Sequence, residues 1–462
     1  MKRISTVLAL VAAIAIPRSA AAEAPAQQEI TIATGSAPLM PADRIAAGAP
    51  APLRSLLEEV LGRNPDLASA AARARAAEQK IPQARSLPDP MASIAPFLMS
   101  PETRVGPQQA MMSLAQRLPW FGKLGLREQA AFYGAAAARA DLEAKRLAIV
   151  TEAQRLYYEL AFLEAWDEAV RLDRETLLHY EELARQRYAA GSGLQQAVVK
   201  LQAEATKDDS RLLEIANRRA TIASSINALR DLPDGAPLEK IHLPDGNLVA
   251  PELERWRRAA LGARPEMTRV EAELGQARTM VELAKKEYEP DFTVGLTYTI
   301  VGPRQDVDAG MAPPDGNGDD VFGVSAGVNL PIWRERLEAG VEEAIQRRNA
   351  AEEMRRGVVA SIDAALAELS QRIELTHRQI ELFENVLLVQ AEQSLRSAEA
   401  AYGAGNLGAL DLLDAQRILL DVRTSTARAR ADYAIALARL SGTLADPIAA
   451  PLLASLEEED HD

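Results

Sequence analysis

Internal repetition restricts this chain more than any other feature, because a duplicated sequence folds as two related units. Leu61-Gly-Arg-Asn-Pro65-Asp-Leu67 returns as Leu261-Gly-Ala-Arg-Pro265-Glu-Met267, an offset of 200 residues. Pro88-Asp89 returns as Pro290-Asp291 at 202, and Leu118-Pro119-Trp-Phe-Gly returns as Leu330-Pro331-Ile-Trp-Arg at 212. Tyr188-Ala-Ala-Gly191-Ser-Gly193 returns as Tyr402-Gly-Ala-Gly405 at 214, and Gln202 matches Gln416. Two repeats follow, residues 53–232 and 253–442, joined by a linker over 233–252. The offset grows mainly across residues 300–321, so the second copy's extra residues lie there.

Each copy shows the same order of local signals. Charged, alanine-rich helical stretches over 53–86 and 253–288 are stopped by proline: Pro88 and Pro90 in the first copy, Pro290 in the second. The hydrophobic period then becomes two, setting Phe292, Val294, Leu296, Tyr298 and Ile300 against Thr293, Gly295, Thr297 and Thr299. This pattern predicts strand pairs at about 90–99 with 109–118 and about 291–300 with 321–330, each long enough to cross a bilayer when tilted. Pro119 and Pro331 end the second strands and open proline-free stretches, which predict helices over 122–189 and 334–401. At 1.5 Å per residue each would be roughly 102 Å long. Their apolar positions keep four-three spacing (Ile149, Ala153, Leu156, Leu160, Leu163), the pattern of helices that wrap one another. After the glycine turns, helices return over 194–230 and 408–440.

Lys2 and Arg3 followed by the apolar run Ile4–Ile16 and Ala20-Ala21-Ala22 read as an export signal over 1–22, too short to span a membrane. Residues 23–52 read as an N-terminal linker and 443–462 as an acidic, solvated tail. The whole chain carries a formal charge of −14, which argues against nucleic acid as a partner. It has no cysteine, which excludes disulfides, thiol catalysis and a lipid-acceptor Cys. With no spanning apolar helix, any membrane crossing falls to the strands. Four strands cannot close a barrel, and an open edge in lipid leaves backbone groups unsatisfied. Copies must therefore pool strands, and the strand count leaves two, three or four copies open.

The duplicated helix–strand–strand–helix order, the Leu118-Pro-Trp-Phe-Gly-Lys123 passage and the Tyr402-x-x-Gly405…Asp411-x-x-Asp414-Ala turn resemble the TolC family of outer-membrane efflux proteins. The resemblance covers about residues 53–442. It implies a mainly α protein with a small β-barrel part: a homotrimer with a 12-stranded outer-membrane barrel and a long periplasmic α-helical tunnel. It also implies a periplasmic adaptor and an inner-membrane pump of the resistance-nodulation-division type as partners. The 118–123 passage and the Pro314-Asp-Gly-Asn-Gly-Asp-Asp320 loop look most like members paired with heavy-metal pumps.

Within that resemblance, Asp411 and Asp414 share one helix face and would line the periplasmic aperture, where stacked carboxylate rings attract cations. Tyr188, Gly191, Gly193, Tyr402 and Gly405 form the tip turns, and Trp120 and Trp333 are candidate membrane-interface residues. Ala197 stands where some members carry an acid that pairs with the tyrosine, and Leu407 stands where some carry a basic residue. The expectation is therefore a closed tip held by apolar contacts. Two acids on a solvated face, and tryptophans packed at a domain waist, are the plain alternatives. The four histidines show no ligand spacing, and Met91, Met99, Met111 and Met112 sit where strand packing explains them. No cofactor, resident metal or catalytic residue is expected, and the protein does not read as an enzyme. A periplasmic adaptor or coiled-coil scaffold is the competing reading, although neither calls for two copies that each carry a strand pair.

Overall fold

Each repeat opens on two short helices broken at a proline. The computed structural model describes residues 51–239, 241, 243, 253–306 and 310–445. The signal over 1–22, nearly all of the 23–52 linker, residues 244–252 of the inter-repeat linker and the acidic tail from 446 lie outside the described residues. α1 (Ala51–Arg63) gives way to α2 (Pro65–Glu78) at Asn64, whose side chain accepts from the Leu67 N–H at 3.1 Å and caps the new helix. Pro65 occupies the first turn, where its missing N–H costs nothing. Asn64 Nδ2 also donates to the Leu229 carbonyl at 3.0 Å, tying this break to the far end of the repeat. Pro265 plays the same part between α6 (Leu253–Ala263) and α7 (Pro265–Lys286). A short α3 (Lys80–Arg85) lies between α2 and the first strands.

The strands are β1 (Met91–Pro96), a two-residue β2 (Glu102–Thr103), β3 (Gly106–Leu118), β4 (Phe292–Val301) and β5 (Val321–Val328). They form one antiparallel sheet of order β1-β3-β4-β5, with β2 on β3. The central β3·β4 pairing joins the two repeats. Even-numbered residues share one face: Ile94 lies beside Met112, Leu114 beside Leu296, and Leu296 beside Val324. Ser93, Ser113, Thr297 and Gly323 share the other, and the two serine hydroxyls meet at 2.8 Å. The sheet thus has one apolar and one small, polar face. Its outer strands are open: every β1 residue and all of β5 except Gly323 are exposed.

β3 runs into α4 (Lys123–Ala189), a helix about 100 Å long at 1.5 Å per residue. It packs against α5 (Gln195–Leu229), α7 and α10 (Ala409–Leu444), as well as the short helices of the first repeat. Ile149, Ala153, Leu156, Leu160, Leu163 and Val170 form its buried stripe. β5 likewise leads into α8 (Arg334–Leu382), which continues through a π-turn (Phe383–Leu387) into α9 (Leu388–Gly403). The offset between repeats rises from 212 to 214 inside this helix, and a π-turn is how a helix absorbs inserted residues without breaking. The continuous helix expected over 334–401 is therefore α-helix with a widened turn.

The strand–helix junction holds two deeply buried charges of opposite sign. Lys123, only 1% exposed, donates to Asp291 Oδ1 at 2.9 Å and to the Glu289 carbonyl at 2.9 Å. Asp291, 3% exposed, also accepts from Arg117 at 2.6 Å and from the Trp120 N–H at 3.0 Å. Asn329 completes the cluster through its own N–H, which donates to the Asp291 carbonyl at 3.1 Å. One carboxylate thus ties the end of β3, the start of α4 and the foot of β4. Removing one member of such a pair leaves a buried charge short of partners. Lys123→Met should cost about 3 kcal/mol, read as a lowered denaturation midpoint of the detergent-solubilised protein. An unchanged midpoint would refute this role.

Candidate functional site: the helical tip

Far from the sheet, both long helices end in the same turn. The Gly191 N–H donates to the Tyr188 carbonyl and Ser192 N–H to Arg187; Gly405 donates to Tyr402 and Asn406 to Ala401. This paired pattern closes the last helical turn and needs a left-handed residue just past the helix. Gly191 and Gly405 supply it, with φ of 72° and 79°. Gly193 has a separate reason to be glycine, since a Cβ there would come within 3.0 Å of the Tyr188 nitrogen.

The two tips differ in their side chains. Tyr188 is half exposed, whereas Tyr402 is 6% exposed in a cluster with Leu177, Tyr180, Leu412 and Leu413. The Arg187 guanidinium lies over the Tyr402 ring, 4.0 Å from its centroid. It also donates to the Tyr402 carbonyl, which the Gly405 N–H shares, and, at 3.2 Å, to the Gly403 carbonyl, both at the end of α9. Within the chain, the tip is therefore held by a cation as well as by apolar packing. The expectation of apolar contacts alone missed Arg187, which lies one residue before the motif tyrosine and has no counterpart in the second copy, where Ala401 stands.

Asp411 and Asp414 both lie exposed near the start of α10, while Leu412 and Leu413 between them point into the cluster. Asp411 has a local task, accepting from the Gly408 N–H at 3.3 Å as a helix cap. Asp414 is 3.5 Å from Arg417, whose closer partner is Glu204 of α5. At the equivalent positions the first copy has Ala197 and Lys200, so the two tips carry opposite charge.

A buried polar group lies behind the tip, and the sequence motifs did not expose it. Gln416 Nε2 donates to Asp173 Oδ1 at 2.6 Å, and Asp173 faces Asp208 of α5, which is fully buried and ion-paired to Arg211 at 2.7 Å. Burial, and then the neighbouring Asp208, push the Asp173 carboxyl up to about 7, against the Gln416 hydrogen bond. Gln202, the counterpart of Gln416, instead donates to Glu181 at 2.8 Å, and that bond leads in holding the Glu181 carboxyl below its usual range.

The remaining sequence candidates are spread along the molecule. Trp120 is packed, stacked on Phe292 with ring centroids 5.5 Å apart. Trp333 is 70% exposed, and its equivalent by the repeat offset is Phe121, 82% exposed. Pro88 and Pro119 flank the first strand pair, and Pro290 and Pro331 flank the second. Met111 and Met112 point to opposite faces of the sheet, and Met91 lies four positions along β1 from Ala95, the partner of Met111. The methionines do not converge.

The sequence pattern of the outer membrane efflux protein family matches residues 56–232 and 256–445, one match for each repeat. The chain belongs to that family. Its members are the TolC-type channels, transport proteins rather than enzymes, and this protein is an outer-membrane efflux channel. A relative, the cobalt-zinc-cadmium resistance protein CzcC of Cupriavidus metallidurans, is 25% identical over 429 residues, covering 92% of this chain and 94% of the relative. Among solved structures, VceC of Vibrio cholerae has a TM-score of 0.72 at 24% identity, over 85% of this chain and 96% of that one. The open-state MtrE channel of Neisseria gonorrhoeae has a TM-score of 0.68 at 20% identity, over 86% and 89% of the two chains.

Two predictions follow from the tip of this efflux channel. Arg187→Ala should raise the open probability of single channels in planar bilayers by about two- to five-fold, since a cation–π contact at a partly exposed arginine is worth about 0.5–1 kcal/mol. Equal conductance and gating would exclude the latch. Asp173 titrates higher in the folded state than its ordinary 3.8, so folding takes up a proton between about pH 4 and 7. Its contribution therefore favours the folded tip at low pH and is lost as pH rises through 7. Asp173→Asn should flatten that fall in thermal stability, whereas an unaltered pH profile would show that Asp173 does not carry it.

Proposed function

We propose that this channel acts as a trimer, with three four-stranded sheets closing a 12-stranded barrel in the outer membrane and the helices continuing as a periplasmic conduit. What carries the reading is the sheet, which has one apolar face, two central strands, β3 and β4, of spanning length and two open edges. In lipid those edges must be paired, and a single chain cannot pair them. The long helices put most of the mass on the periplasmic side. Phe121 and Trp333 suit the membrane boundary by their matched exposure, whereas Trp120 is taken up by Phe292.

Through the tip the channel receives cargo from an inner-membrane pump of the resistance-nodulation-division type, by way of a periplasmic adaptor. The cargo is a heavy-metal cation. The name of the CzcC relative supports this assignment, as does the placement of Asp411 and Asp414. In a trimer these acids form two stacked rings of three carboxylates, an aperture that concentrates cations and repels itself when unscreened. Arg417 partly offsets the Asp414 ring, leaving Asp411 the stronger determinant. The mass of the detergent-solubilised protein should be that of a trimer, and a stable monomer would overturn the assembly. Asp411→Asn with Asp414→Asn should lower cation-over-anion permeability and relieve block by multivalent cations in planar bilayers. Unchanged selectivity and block would remove the aperture role.

A further inference from the structure

The buried acid pair behind the tip belongs to one helical hairpin only. In the first, α4–α5, Asp173 and Asp208 are 4% and 0% exposed. Gln202 and Gln416 fix the offset beyond the turns at 214, so the counterpart of Asp208 in α10 is Val422. Val422 packs against the apolar cluster that contains Leu412, Leu413 and Leu419. The fold therefore accepts an apolar side chain at this position, and packing does not account for an acid there.

The contacts around the pair show what the acid does. Asp173 Oδ1 accepts from Gln416 Nε2 at 2.6 Å, and the same carboxyl lies within hydrogen-bonding reach of Asp208. Asp208 gives Oδ1 to Arg211 at 2.7 Å, whereas its Oδ2 is buried with no partner, as is Gln416 Oε1. Two ionised carboxylates beside one guanidinium would leave this buried group negative. One proton shared between the acids makes it neutral and gives Asp208 Oδ2 the donor it needs. A divalent cation in the same place would leave the group positive, so the charges select the proton. The groups facing Asp173 are Asp208 and Arg211 from α5 and Gln416 from α10. Nearby, Arg417 is taken by Glu204 and Arg174 by Asp209. Two turns along α4, burial and then Glu399 of α9 keep the proton on the Tyr180 hydroxyl, 2.5 Å from that carboxylate.

We propose that Asp173 and Asp208 are a proton-operated fastening within the first hairpin: one shared proton holds α4 to α5, and its loss sets two carboxylates against each other behind the tip. This fastening requires neither the trimer nor the metal cargo, so its failure leaves both readings standing. Proton loss also acts on the other hairpin, because an amide N–H bonds a carboxylate more strongly than a carboxylic acid. As α4 loosens its hold on α5, it tightens on Gln416 of α10. The grip of α4 thus passes from its own hairpin to its neighbour. The packed hairpin takes up the proton and the loosened one releases it, so packing is favoured at low pH and weakens as pH rises through about 7. The channel then opens more readily on the alkaline side.

Hydrogen exchange of the whole detergent-solubilised chain, corrected for the intrinsic rate at each pH, tests this without a variant, because the second hairpin is the control. The Asp173 carboxyl titrates at about 7 when packed and at its ordinary 3.8 when freed. Exchange across residues 201–212 of α5 should therefore rise about ten-fold between about pH 6 and pH 8. The equivalent residues 415–426 of α10 should stay level. Asp173→Asn and Asp208→Asn should each flatten the α5 response. In planar bilayers, open probability of the natural channel should rise over the same range, and both substitutions should abolish that rise. Equal rises in the two hairpins, a rise that survives both substitutions, or gating indifferent to pH in the natural chain would overturn the proposal. A response set by sodium or calcium concentration rather than by pH would overturn it too, since a metal ion would then occupy the pair.

Discussion

Asp291 is the point on which the two halves of the molecule agree. A carboxylate that is 3% exposed must find enough donors, and it takes them from the end of β3, the turn at Trp120 and the first residue of α4. Those donors all belong to the first repeat, whereas the acid belongs to the second. The direction in which α4 leaves the sheet is thereby linked to the register of β3 on β4. Burying Lys123 to 1% exposure would be costly without this arrangement, and its ammonium is satisfied by the Asp291 carboxylate and the Glu289 carbonyl. The junction thus joins a sheet suited to lipid to helices that pack along their length in water.

The duplication explains why the two ends of the molecule behave differently. At the sheet, the repeats keep equivalent registers, because backbone pairing tolerates only steps of two residues when one face is apolar. At the tip, the backbone turns are again equivalent, but the side chains are not. Arg187 and Lys200 in the first copy stand against Ala401 and Asp414 in the second. A symmetric frame therefore carries an asymmetric tip, with a cation clasping Tyr402 from one side and acids exposed on the other. The buried Asp173–Gln416 contact links the two hairpins just behind that tip.

The mainly helical class with a small sheet could be read from the chain because each signal is local. Period two in Phe292–Ile300, proline at residues 88, 119, 290 and 331, and glycine after each long helix act within a few residues of themselves. Membership of the efflux family was legible for a related reason, since the motifs recur at fixed offsets in both copies. The π-turn at Phe383–Leu387 was hidden, because no residue type announces it and only packing along α10 and α8 selects where the helix widens. Arg187 was equally hidden, since an arginine in a charged helix reads as solvated until Tyr402, 215 residues later, is placed beneath it.

By itself the sequence determined the repeat, the alternation that gives the sheet one apolar face, and the left-handed turns at the tip. These are properties of short segments, and the energies that set them act between neighbours. The tertiary structure alone decided which charges meet: Lys123 with Asp291, Arg417 with Glu204, and Gln416 with Asp173 across 243 residues. Such pairs depend on how two long helices slide and rotate against each other, which shared burial along their whole length sets and no local pattern records.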